Sequence, residues 1–210
     1  MGKSIYSLVL SDEVIAMLDN LAYKKGVSRS TLVNRVLAEY VGYETPEQRL
    51  KKMFSSLEQI IMGEQRMRLL SQSSDKAFSI TSALNYKYSP RITYLVELDY
   101  EGDSIGELSI TYRTSKPELI DAISSFFATW IALEKAYLPY DVAYAVTDGK
   151  LKRKLRITQD YASIETLAET ITSYVKNIDK LLNIYITEDA NVRDKMLSSR
   201  FLNLDTIGKI

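Results

Sequence analysis

The sequence predicts an α+β protein: a small N-terminal strand–helix–helix unit, a helical connector, and a domain with an antiparallel four-stranded sheet covered by helices. Three observations predict it. A strand-like alternation over residues 3–10 gives way to two capped amphipathic helices that end by Gly42. After Pro90, strand pairs separated by Gly-containing turns are each followed by a long amphipathic stripe. The second strand pair and stripe repeat the first at an offset of roughly 50 residues, which reads as ββαββα.

In chain order, Lys3 to Leu10 (K-S-I-Y-S-L-V-L) is the first strand. Tyr6, Leu8 and Leu10 share one face, and Lys3, Ile5, Ser7 and Val9 the other. Ser11 is the N-cap of a first helix, with Asp12 and Glu13 in the turn where the helix dipole favours negative charge. Its apolar stripe is Val14, Ile15, Leu18 and Leu21, and Gly26 ends it after Lys24 and Lys25. Ser28 caps a second helix with the stripe Leu32, Val33, Val36, Leu37, Tyr40 and Val41, closed by Gly42. A unit of this size buries too little surface to fold alone, and a lone strand leaves both backbone edges unpaired. Two copies pairing their strands antiparallel, with four helices sharing a core, solve both problems. Such a two-stranded ribbon has one exposed face, of a size that enters the DNA major groove.

The stretch L-A-Y-K-K-G-V-S-R-S-T-L from Leu21 to Leu32, followed by Leu37, Tyr40 and Val41, resembles the ribbon-helix-helix superfamily typified by the MetJ, Arc and CopG repressors. The turn from Gly26 to Ser30 and the junction from Leu10 to Glu13 carry the likeness, which covers residues 3–43. The resemblance implies a homodimer that binds double-stranded DNA. It implies that the outward ribbon residues Ile5, Ser7 and Val9 meet base edges, with Lys3 beside a phosphate. It further implies that the N-terminus of the second helix clamps a phosphate through the amides of Arg29 and Ser30, the hydroxyls of Ser28 and Ser30, and the Arg29 charge. The sequence departs from the family at Ile5 and Val9, where relatives usually carry polar or basic residues. Aliphatic side chains there suit thymine methyls, and Ser7 can bond to almost any base edge, which points to weak discrimination in favour of A·T-rich sites. The plainer alternative is a dimerisation element without DNA contact.

The connector, residues 45–90, starts at Thr45-Pro46-Glu47-Gln48, a capping box with proline at the first helical position. Leu50, Met53, Leu57, Ile60 and Met67 follow heptad spacing, suited either to a short intersubunit coiled coil or to packing on the chain's own domain. The polar run Ser71–Asp75 breaks this helix, and Phe78, Ile80 and Leu84 suggest a further short one before Pro90. These boundaries divide the chain into residues 1–44, 45–90 and 91–210.

In the C-terminal domain, Ile92 to Tyr100 and Leu108 to Tyr112 alternate as a strand pair around Glu101-Gly102-Asp103. Ser115-Lys116-Pro117-Glu118 reads as a capping box opening a helix whose face is Leu119, Ile123, Phe126, Phe127, Trp130 and Ile131. Val142, Tyr144 and Val146 lead into the hairpin turn Asp148-Gly149, then Leu151, Leu155 and Ile157. A long stripe from Ile164 to Leu182 and a short helical tail follow. Lys150, Lys152, Arg153, Lys154 and Arg156 form a basic strand, either a second anion contact or, more plainly, a solvated strand face. Asp99, Glu101 and Asp103 read as an acidic hairpin tip rather than a calcium loop. Tyr94, Tyr112 and Tyr144 either line a pocket or sit in the core with their hydroxyls at its rim.

Cysteine and histidine are both absent. Disulfides, thiol nucleophiles, histidine triads and the usual zinc and nickel ligand sets are therefore excluded. No phosphate-cradling glycine loop or nucleophile elbow occurs, so the expectation is a non-enzyme without cofactor or metal. Lys plus Arg and Asp plus Glu number 27 each, so any positive surface must be local. The function expected is a cytoplasmic transcriptional regulator of prokaryotic, viral or plasmid origin, more often a repressor. It acts as a homodimer or a higher oligomer on DNA, away from membranes, and its C-terminal domain serves assembly or a protein or small-molecule effector. The alternative is an antitoxin, or a plasmid partition or copy-control protein, whose C-terminal domain holds a partner protein.

Overall fold

The computed structural model describes residues 7–43, 46–74, 77–98, 104–156 and 164–204. The chain is mixed α+β and divides into two compact units, Met1–Arg49 and Leu50–Ile210.

The first unit contains α1 (Asp12–Lys25) and α2 (Arg29–Tyr40). The Ser11 side chain accepts from the Val14 amide at the start of α1. At its end Gly26 adopts the left-handed conformation, with φ 62°, and the Val27 amide donates back to the Ala22 carbonyl. Only Ala22, Leu32 and Ala38 are buried in this unit among the described residues, so just one large side chain is fully enclosed.

The second unit takes in α3 (Pro46–Met62) from Leu50 onward, and Met53, Phe54, Leu57 and Ile61 of this helix enter its core. Met53 and Leu57 of the heptad stripe thus pack on their own domain, while Met67, expected to continue the same helix, begins a strand. There follow β1 (Met67–Ser74), β2 (Ala77–Ala83), β3 (Arg91–Leu98), β4 (Ser104–Tyr112), α4 (Pro117–Tyr137), β5 (Tyr144–Thr147), β6 (Lys150–Arg156), α5 (Ile164–Tyr185) and α6 (Arg193–Phe201). The six strands form one sheet in the order β1-β2-β3-β4-β6-β5, each neighbouring pair antiparallel. Residues on one sheet face, among them Phe78, Ile80, Tyr94, Val96, Leu108, Ile110 and Leu155, form a single core with residues of α3, α4, α5 and α6.

The sheet therefore has six strands rather than four, and the extra two lie where a helical connector was expected. The physical reason is local. Phe78, Ile80, Ser82 and Leu84 are buried in strict alternation, a period of two that fits a strand and not a helical stripe. Met67 is buried and Leu69 packs on the core beside them, which aligns β1 on the free edge of β2. The repeat is thus a four-stranded meander, a helix, a hairpin and two helices. A second correction concerns α4: its N-cap is Lys116, without a side-chain cap, so Ser115 and Glu118 form no capping box. Thr45, Asp99, Tyr100, Glu101, Gly102, Asp103 and Ile157 lie outside the described residues, so the capping box at Thr45 and the acidic turn do too.

One glycine is dictated by space. Gly106 has φ 150° opposite Leu98, and a Cβ on it would lie 2.0 Å from the Glu97 carbonyl oxygen. The ladder between β4 and β6 is irregular between Ser104 and Gly106. Irregularity also marks the pairing of β1, between Leu70 and Ser74, and the opposite edge strand, β5, has only four residues.

Candidate nucleic-acid interface

Ser28, Arg29 and Ser30 come together at the start of α2. Ser28 has extended dihedrals, and its hydroxyl accepts from the Thr31 amide at 3.2 Å while lying 2.8 Å from the Thr31 hydroxyl. Its carbonyl accepts from the Leu32 amide. The amides of Arg29 and Ser30 make no hydrogen bond among the described residues, as the geometry of a helix start dictates. They are the donors expected to meet a phosphate, and all three side chains at this end are exposed. No acidic residue occupies the first turn of α2, so the positive end of the helix dipole is not neutralised from within.

The Arg29 guanidinium has a partner that the sequence pattern did not signal. It donates through Nε and Nη2 to the two carboxylate oxygens of Asp19, on α1, at 2.5 Å each. Both side chains are about half exposed, and exposed pairs of this kind contribute roughly 0–1 kcal/mol. Such a weak tie holds the α1–α2 turn yet leaves the guanidinium free to exchange onto a stronger anion.

Of the outward ribbon set, Ser7 and Val9 are exposed, Val9 fully. Lys3 and Ile5 lie outside the described residues. Residues 7–10, the described part of the expected first strand, form no strand in this structure. The face expected to point inward is equally open. Leu8, Leu10, Val14, Leu21, Val36 and Leu37 are each 38–52% exposed, and Met17 and Val41 are more exposed still.

The basic strand in the second unit separates into two groups by parity. Lys152 and Lys154 lie on the face away from the core, where both pair with Glu107 of β4. That pairing holds the Glu107 carboxyl below its usual range: burial pushes it up, but the hydrogen bond and charge of Lys152 outweigh this. Arg153 points the other way, into the core, at 2% exposure. Its Nε and Nη2 donate to Oε2 and Oε1 of Glu134 at 3.1 Å, and its guanidinium lies 4.7 Å from the Tyr174 ring centre. Glu134 also accepts from the hydroxyls of Tyr174 and Tyr144, and Trp130 Nε1 donates to the Tyr174 hydroxyl. Burial, first, and then the nearby Glu134 charge push the Tyr144 hydroxyl well above its usual range, so it remains a donor. The cluster is an internally satisfied polar core, with no group left over for substrate.

A second buried cluster joins α5 to the sheet. Asp179 accepts from Ser82 at 3.0 Å, from Tyr94 at 2.9 Å and from Asn183 at 3.2 Å. Tyr94 and Tyr144 thus serve the core, while Tyr112 is half-buried at the sheet end. Among the described residues no group of acidic side chains could hold a metal ion, and no helix is long and apolar enough to cross a membrane. No family model, curated protein or solved structure matches the chain.

Proposed function

We propose that the chain is a DNA-binding transcriptional regulator, a repressor, that acts as a homodimer. Its two N-terminal strands pair across the dimer axis and lay Ile5, Ser7 and Val9 in the major groove, while the start of each α2 grips a phosphate through Arg29 and Ser30. The observation that carries this reading is the open aliphatic set of the first unit. Leu8, Leu10, Val14, Leu21, Val36 and Leu37 each stay 38–52% exposed on a unit that, among the described residues, fully encloses a single large side chain, Leu32. Covering the half of each side chain still open gains roughly 1 kcal/mol per residue, so a second copy offering the same residues is the natural cover. The exposed outer residues Ser7 and Val9 and the unneutralised start of α2 then fall to the DNA.

The test uses the full chain. Bound fragments are selected from random duplexes, and the winning sequence is titrated at several salt concentrations. The expected result is an A·T-rich, two-fold symmetric site. The affinity should fall with salt at a slope that counts phosphate contacts, each contributing about 0.9 to the log–log slope. A chain that sediments as a monomer at micromolar concentration and enriches no sequence would overturn the proposal.

A further inference from the structure

The sheet topology brings three connections to one end of the second unit. Ala83 faces Arg91, Ile92 faces Tyr112, and Thr111 faces Lys150, so the loops after β2, after β4 and between β5 and β6 are neighbours. Between them lies an open cleft of about 750 Å³. Its lining includes Lys87, Arg113 and Lys116, one from the first loop and two from the second, against the single carboxylate of Asp148. None of the three cations makes an ion pair among the described residues. Three like charges around one concavity, low in counter-charge, focus a positive field into it.

The rest of the lining is suited to a ligand with a body as well as a charge. Pro90, Ile120 and the Tyr112 ring give apolar wall, and Thr114 and Ser115 bring hydroxyls. Tyr88 stands at the rim, 83% exposed, with the Lys87 ammonium 5.3 Å from its ring centre. The loop carrying them is anchored below: the Leu84 amide donates to the Pro90 carbonyl, and the Asn85 amide to Asn183 of α5 at 2.6 Å. The Tyr112 amide is likewise tied to the Gly149 carbonyl at 3.0 Å. The walls are therefore fixed by the sheet and α5 and need little ordering to receive a guest, which lowers the entropic cost of binding. A cleft of this volume falls in the range of roughly 300–1,000 Å³ that small-molecule sites occupy.

We propose that this cleft binds a small phosphorylated compound with a ring-bearing body, of nucleoside monophosphate size. Lys87, Arg113 and Lys116 hold the phosphate, and Tyr88 and Tyr112 flank the ring. The fork of Arg113 matches phosphate oxygens in pairs, and the lysines act as point charges beside it. A duplex backbone carries its charge on a convex surface and is the poorer match to a concave site bounded by three loops. This inference does not depend on the function proposed above.

The test is calorimetric titration of the full chain with AMP and with pyrophosphate, repeated on R113Q/K116Q and on the control K195Q, which removes an exposed charge elsewhere. Arg113 and Lys116 are exposed, and a thermal melt of each variant checks that the fold is kept. The expected result is AMP binding by wild type and K195Q, weakened about tenfold or more, equivalent to about 1.4 kcal/mol, in R113Q/K116Q. No AMP binding by the wild type, pyrophosphate binding as tightly as AMP, or equal AMP binding by all three proteins overturns the proposal. So does a mixed-sequence duplex that displaces AMP and is weakened in parallel, which reassigns the cleft to a nucleic-acid backbone. AMP binding without any selected DNA sequence would leave this site standing and remove only the regulator.

Discussion

Arg153 of β6 and Glu134 of α4 form a bidentate ion pair inside the second unit, each side chain 2% exposed. The pair fastens the helix across the sheet at the place where an aliphatic contact would ordinarily do so. Its desolvation is offset in part by hydrogen bonds from Tyr174 and Tyr144 to Glu134 and from Arg153 to the Lys154 carbonyl.

Breaking that pair from one side is expected to be costly. Glu134→Gln leaves a buried guanidinium without its counter-charge and lowers stability by about 3–5 kcal/mol. The double variant Glu134→Gln/Arg153→Met loses clearly less. Trp130, the single tryptophan, sits in the same cluster, so its fluorescence in urea follows this unit alone. Equal losses in the single and double variants would show that packing, not charge, sets the effect.

The two carboxylates that face opposite sides of the sheet give opposite pH dependence. Burial raises the Asp179 carboxyl above its usual range, with Ser82, Tyr94, Arg66 and Asn183 only partly offsetting it. The folded state then holds this proton more tightly than the unfolded chain. Its contribution to stability therefore declines as pH rises from about 4 through the raised value and is flat beyond it. Asp179→Asn flattens that segment. Glu107, whose carboxyl is lowered, contributes stability above the unfolded pKa that is lost as pH falls through its folded value, and Glu107→Gln removes this acid-side loss. Urea midpoints across the acid range, read for each variant, test both signs.

Gly106→Ala is expected to disturb β3 and β4 together. The new methyl would meet the Glu97 carbonyl, and its φ alone costs an L residue about 1–3 kcal/mol. Amide exchange should quicken along Val96–Leu98 and Leu108 before it does in α6. Unchanged protection there would mean that β3 and β4 accommodate the methyl without opening.

Leu37→Glu places a charge in the open aliphatic set of the first unit. On the proposed reading, the chain then sediments as a monomer and loses duplex binding, while the Trp130 urea transition is unmoved. A variant that stays dimeric would show that the copies meet elsewhere.

Much of the second unit was legible because its helices and hairpins obey short-range rules. The turn at Asp148-Gly149 lies where the sequence places it, with Gly149 at φ 69°, and the stripe of α4 is buried from Leu119 to Trp130, with Ile131 partly covered. β1 and β2 were not legible as strands. Their alternation is short, and the buried position 82 in β2 is a serine, so the period of two is complete in the burial but interrupted in the hydrophobic pattern. Arg153 was hidden for a different reason. In K-L-K-R-K-L-R the charge run suggests a solvated face, yet residue 153 shares the parity of Leu151 and Leu155, and its acidic partner lies 19 residues away on a helix. Parity was the available signal. The start of α2 could be placed from Ser28 and Gly26 alone, whereas the Asp19 partner of Arg29 depends on the angle between two helices, which no local pattern encodes.

The two borders of the β-sheet carry a consequence for how this chain behaves when crowded. At one, β1 slips out of step between Leu70 and Ser74; at the other, β5 stops after four residues. Neither border offers a long, flat row of free amides and carbonyls onto which another molecule's strand could dock and extend. Growth into fibrils by strand addition is thereby blocked at both ends of the C-terminal body, whatever assembly its N-terminal segment undergoes.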